Sequence, residues 1–100
     1  MKKLLIAMLI SSPAFAEDRF EDIRGEWVMC GACHGAQGQG GLGPKLAGLS
    51  ADEVIDKLLA YKRGETVGPK SNMMWPQAGQ LTDGQIGTLG VFVQEGFPDQ

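Results

Sequence analysis

The chain has 100 residues, room for one small domain, and carries 9 basic against 12 acidic residues for a formal net charge of −3. That balance excludes a strongly basic nucleic-acid binder and gives no attraction to an anionic membrane surface. The two cysteines, Cys30 and Cys33, belong to one short run, which leaves none for an independent disulfide.

The first residues read as an export signal. Lys2 and Lys3 precede an uninterrupted apolar run from Leu4 to Ile10, and Ala14-Phe15-Ala16 supplies the small residues that a signal peptidase reads. The expectation is a cleaved signal peptide over 1–16, export to a bacterial periplasm, and a mature domain over 17–100. Seven apolar residues fall far short of the roughly 20 that a spanning helix needs, so no membrane anchor is expected. Loss of the leader removes two lysines and no acids, moving the net charge from −3 to −5 (seven basic residues against twelve acidic). Glu17, Asp18, Glu21, Asp22 and Glu26 hold much of that acid, as a solvated helix face does. A mature domain of this size is near the limit of a purely side-chain core and leans on a staple or a cofactor.

Over residues 18–30, Phe20, Ile23, Trp27 and Val28 or Met29 recur at helical spacing, which predicts one amphipathic helix leading into Cys30, weakened by Gly25. The stretch 35–43 holds five glycines and almost nothing to bury, so it reads as an irregular loop. Ser50-Ala51-Asp52-Glu53 has the form of a capping box. Val54, Ile55, Leu58, Leu59 and Tyr61 then form a stripe, Lys62 and Arg63 suit a helix carboxyl end, and Gly64 stops it, giving a helix over about 51–63. Residues 64–80 show no sustained period and contain Gly68-Pro69 and Trp75-Pro76, so a second long loop is expected. Thr82-Asp83-Gly84-Gln85 repeats the capping pattern, and Ile86, Leu89, Phe92 and Val93 continue as a helical stripe ending by Gly96 and Pro98. Gly87 and Gly90 would let another helix approach, the amino-terminal helix being the expected partner. The pattern is all-α, with three main helices and no strand-like alternation.

Cys30-Gly31-Ala32-Cys33-His34 is the arrangement by which a chain captures haem c. On one helical turn the two thiols can add to the two vinyl groups of a porphyrin while the adjacent imidazole turns toward the iron. A thioredoxin-like pair would need a strand-and-helix context that is absent. A zinc site would need a fourth ligand, yet His34 is the one histidine and no further cysteine exists. The reading is one haem c per chain, joined to Cys30 and Cys33, with His34 on the iron. For the other axial face the candidates are Met29, Met73 and Met74. Met29 adjoins the attachment motif on the proximal side, whereas Met73 and Met74 lie in a segment long enough to cross the distal face.

These residues, from about 18 to 96, make the chain resemble a class I cytochrome c, of the small bacterial type similar to cytochrome c553 and to single domains of cytochrome c4. Residues 30–35 reproduce the family's Cys-x-x-Cys-His-Gly, and Gly43-Pro44-Lys45-Leu46-Ala47-Gly48 resembles its Gly-Pro-x-Leu-x-Gly turn. The resemblance implies the small class I cytochrome c fold, three main helices with long loops wrapped around one covalent haem. It implies that the Pro44 carbonyl receives the other imidazole N–H of His34 and that Leu46 lies against the porphyrin edge. The family's ligand methionine stands seven positions before the residue opening a Leu-Ser-Asp-like helix start. With Leu81-Thr82-Asp83 in that part, the ligand is Met74, with Met73 in reserve. Trp27 and Phe92 match aromatics that pack the first helix against the last. A glycine usual earlier in the first helix is replaced near Ile23, and the glycine-rich last helix is a second departure.

Histidine and thioether together favour ferrous iron and leave no position for a substrate. The expected function is therefore not enzymatic: a soluble periplasmic one-electron carrier that meets redox partners, a reductase and an oxidase, through brief encounters. A haem c subunit of a periplasmic dehydrogenase complex, for example a flavocytochrome, is the alternative, and a haem ligand sensor with a labile methionine a third. Lys45, Lys57, Lys62, Arg63 and Lys70 are offset by Asp52, Glu53, Asp56 and Glu65, so no basic docking patch is expected.

Overall fold

The computed structural model describes residues 18–98, so the expected signal peptide over 1–16 lies outside the described residues. Among the described residues the chain is all helical: a 3-10 turn, Glu21–Ile23, then α1 (Arg24–His34), α2 (Ala51–Lys62), α3 (Ser71–Gly79) and α4 (Asp83–Gln94).

The expected amino-terminal helix is displaced. Ile23 N–H donates to the Phe20 carbonyl in the 3-10 turn, and α1 starts only at Arg24 and continues through His34. Phe20, Ile23 and Trp27 are buried as their spacing predicts, but Val28 and Met29 are both exposed. On a helix the inward positions after Trp27 fall three and four residues later, at Cys30 and Gly31. The attachment motif thus sits inside the last turns of α1, which ends at Gly35 with φ +89.

Both expected capping boxes are present. The Ser50 hydroxyl accepts from Glu53 N–H at 3.1 Å while the Glu53 carboxylate accepts from Ser50 N–H at 2.9 Å, and Thr82 and Gln85 do the same at 3.0 Å each way. Those anchors give α2 and α4 the starts that their sequences specify.

The second long loop expected over 64–80 is corrected by α3. Pro76 lies inside that helix, where it removes one backbone bond at a cost of about 3 kcal/mol. Tertiary contacts offset it: α3 packs on α2, Ala78 is wholly buried, and Trp75 Nε1 donates to the Glu65 carbonyl at 2.9 Å. The fold therefore has four helices where three main ones were expected.

The core centres on a cluster of rings. Phe92 lies 5.1 Å from Phe20, 5.5 Å from Trp27 and 5.8 Å from Phe97 between ring centroids, so the first helical segment meets the last as its aromatics imply. Phe97 holds a left-handed backbone, φ +59, with its ring 4.9 Å from Trp27. The ends of the described chain are also tied, Arg19 pairing with Glu95 at 2.6 Å and Arg24 donating to the Pro98 carbonyl at 2.8 Å.

Gly90 of α4 serves a different neighbour from the one expected, and Gly87 serves none. A Cβ at Gly90 would lie 2.7 Å from Ile55 Cγ1 and 2.9 Å from the Ala51 carbonyl oxygen, so it is α2, not the amino-terminal helix, that approaches there. Gly90→Ala is expected to lower stability by about 1–3 kcal/mol through that overpacking. Gly87→Ala, with nothing within 4 Å of its Cβ, is expected to raise it by up to about 1 kcal/mol through helix propensity. Thermal unfolding of the two variants, followed by far-UV circular dichroism, checks both signs.

Candidate functional site

The last turn of α1 carries Cys30, Cys33 and His34, and the glycine-rich loop that follows folds back beneath it. Gly40 N–H donates to the His34 carbonyl at 2.7 Å and Gly43 N–H to the Cys33 carbonyl at 2.9 Å. Farther along, Leu46 N–H and Ala47 N–H both donate to the Gly38 carbonyl, at 2.8 and 2.9 Å. This backbone net brings Pro44 under the imidazole, and His34 Nδ1 lies 2.7 Å from the Pro44 carbonyl oxygen. A carbonyl only accepts, so Nδ1 carries the proton and Nε2 the lone pair that a metal needs. A Cβ at Gly43 would stand 2.8 Å from His34 Cε1, so this close approach of loop to ring requires glycine.

The two thiols are not joined to each other. Burial in the apolar wall, the largest effect, pushes the Cys30 thiol up to about 11.

His34 and Cys30 open into a cavity of about 450 Å³. Its walls come from Trp27 on α1, Leu46 and Leu49 in the loop, Val54, Leu58 and Tyr61 on α2, Val67, Gly68 and Pro69 before α3, Met74 on α3, and Leu89 and Val93 on α4. Lys45 and Lys57 are its charged lining, with no carboxylate. Among the described residues no cluster of His, Cys, Asp and Glu could hold a bare ion. An apolar hollow with one imidazole, one thioether and a thiol in its wall suits a flat organic macrocycle around a metal.

The cavity thus brings together Cys30, His34, Pro44, Leu46 and Met74, and it leaves others outside. Cys33 is half-buried and does not line it, and Met73 is 57 % exposed on the outer side of α3. Of Lys45, Lys57, Lys62, Arg63 and Lys70, the first two line it. Lys62 pairs with Asp83 at 3.1 Å, Arg63 pairs with Glu65 at 2.6 Å, and Lys70 does not line it. The helical stripe of Val54, Leu58 and Tyr61, whose spacing predicts only a buried face, is turned toward this cavity. Nothing local marked Val67 as a wall.

A family model described as cytochrome c matches residues 26–96. The chain is 37 % identical over 73 residues to cytochrome c-554(547) of Halothiobacillus neapolitanus, covering 64 % of this chain and 80 % of that protein. It is 35 % identical over 65 residues to cytochrome c-554(548) of Halomonas halodenitrificans, covering 63 % and 78 %, and 38 % identical over 66 residues to cytochrome c-553 of Desulfomicrobium norvegicum, covering 65 % and 82 %.

Gly43→Ala is expected to push the His34 ring off the Pro44 carbonyl and to destabilise the protein by about 1–3 kcal/mol. Thermal unfolding together with the imidazole NMR signals of the variant checks this; an unmoved ring at unchanged stability would contradict it.

Proposed function

The chain belongs to the cytochrome c family, and on that premise we propose that it is a soluble periplasmic one-electron carrier whose haem c is joined to Cys30 and Cys33 and held axially by His34 and Met74. It is an electron-transfer protein of the haem c class rather than an enzyme. The observation that carries the axial assignment is that His34 and Met74, forty residues apart, line one apolar cavity while Met73 points away from it. Haem c supplies a one-electron iron centre when bound. His34 donates through Nε2, because its other nitrogen is committed to Pro44 at 2.7 Å. Met74 offers a thioether, and a histidine–thioether pair stabilises ferrous over ferric iron. With haem bound, the apolar walls on α2 and α4 would keep water from its inner face, which would lower the local dielectric and further disfavour the ferric charge.

With His34 and Met74 both holding the iron, no position would remain for a substrate, and the work of the residues would be to hold one geometry in both oxidation states. Export follows from the leader pattern over 1–16, and the partners are redox proteins that reduce and oxidise the carrier in brief encounters. No helix among the described residues is long and apolar enough to cross a membrane.

Met74→Ala is expected to abolish the methionine-to-iron charge-transfer band of the ferric protein and to lower its reduction potential, whereas Met73→Ala leaves both in place. Visible spectroscopy and protein-film voltammetry decide, and the opposite pattern transfers the ligand role to Met73. Replacing Cys30 and Cys33 together by alanine should leave the haem extractable by acidified solvent and the domain poorly folded. A native-like helix signal from that variant without haem would remove the cofactor from the core.

A further inference from the structure

Ser71 and His34 are the buried polar side chains among the described residues, and Ser71 is only 4 % exposed. Its hydroxyl accepts from the backbone N–H of Val67 and from that of Gly68, each at 2.7 Å, and donates to the Gly68 carbonyl at 2.8 Å. All of its bonding capacity is thereby spent on the segment before α3. A hydroxyl at a helix start commonly caps its own first turn; this one is turned backward.

One turn further on, Trp75 Nε1 donates to the Glu65 carbonyl at 2.9 Å. Residues 65–68 are therefore fastened to α3 at two points, and Met74 stands between the two fasteners in sequence. Val67, Gly68, Pro69 and Met74 all line the haem cavity.

We propose that Ser71, supported by Trp75, is a positioning residue for Met74. It clamps the 65–68 segment to α3 so that the thioether and the adjoining wall meet the haem as one rigid unit. This inference rests on the reading of Met74 as axial ligand. The side-chain hydrogen bonds of Ser71 all go to Val67 and Gly68, whereas the ring cluster of Phe20, Trp27, Phe92 and Phe97 and the α2–α4 crossing at Gly90 are built from other residues, so loss of its hydroxyl should free the distal wall without unfolding the domain. The part-buried amides of Val67 and Gly68 would lose their acceptor together, enough to raise the population with a detached wall by about tenfold.

The test uses the haem-loaded protein and urea titration followed at two signals, the ferric charge-transfer band and far-UV circular dichroism. In Ser71→Ala the band should vanish at a lower urea concentration than the helix signal, with a gap wider than in the unaltered protein. Carbon monoxide should bind the reduced variant about tenfold faster, and exchange of the Val67 and Gly68 amides should rise by a similar factor while that of Ile86 stays put. Ser71→Thr, which keeps the hydroxyl, should retain the band at the original urea concentration. Loss of band and helix signal together in Ser71→Ala, with carbon monoxide binding unchanged, overturns the clamp. Should Ser71→Ala yield no holoprotein, Trp75→Phe decides by the same readouts, a smaller shift in the same direction supporting the clamp and no shift refuting it. A band that survives Met74→Ala refutes the ligand reading and the clamp with it, whereas a band lost in Met74→Ala and unmoved in both Ser71→Ala and Trp75→Phe refutes the clamp alone.

Discussion

An apolar cavity of about 450 Å³ in a chain of 100 residues is the constraint on which this structure turns. Cavities in protein cores cost roughly 24 cal/mol per Å³, which at this volume sets an upper figure on the order of 10 kcal/mol, since the mouth meets solvent. Domains of this size are stable by only about 5–15 kcal/mol in total. The two figures are comparable, so a group that fills the hollow belongs to the core as much as any side chain does. Every helix contributes to the walls, and none of them could close the gap alone.

The side of the cavity that carries His34 is held by short-range geometry. His34 and Pro44 are ten residues apart, and the backbone bonds from Gly40 and Gly43 to the end of α1 leave the loop between them little freedom. Behind that loop, the ring of Phe97 packs on Gly38, whose missing side chain makes room for it. The carboxyl end of the chain thus braces the loop that orients the imidazole. An electron carrier gains from such bracing, because a ligand that does not shift between oxidation states adds little to the barrier for transfer.

The side that carries Met74 depends on long-range packing instead. Met74 sits on α3, a helix with an internal proline that persists because α2 covers it and Ala78 is buried beneath. In turn α2 takes its position from α4, and the contact is as close as it is only because Gly90 has no Cβ to collide with Ala51 and Ile55. The distal wall is therefore several contacts removed from any single residue's preference. The departure of the last helix from the usual family pattern, its two central glycines, divides between one that permits this crossing and one, Gly87, with open space around it.

What the sequence determined alone was whatever five or so neighbouring residues can specify. The run from Cys30 to His34 points to the cofactor, because the proposed attachment needs only one helical turn, and the boxes at Ser50–Glu53 and Thr82–Gln85 mark two helix starts through bonds spanning three residues. Tertiary structure decided the rest. It shifted the first helix onto 24–34 so that Val28 and Met29 face water, and it stabilised a helix across Trp75-Pro76 where local preference favours a loop. The phase of that helix turns Met74 inward and Met73 out, and the partner of Gly90 became α2. Helical phase and close approach depend on surfaces brought together from distant parts of the chain, and no local pattern of residues contains that information.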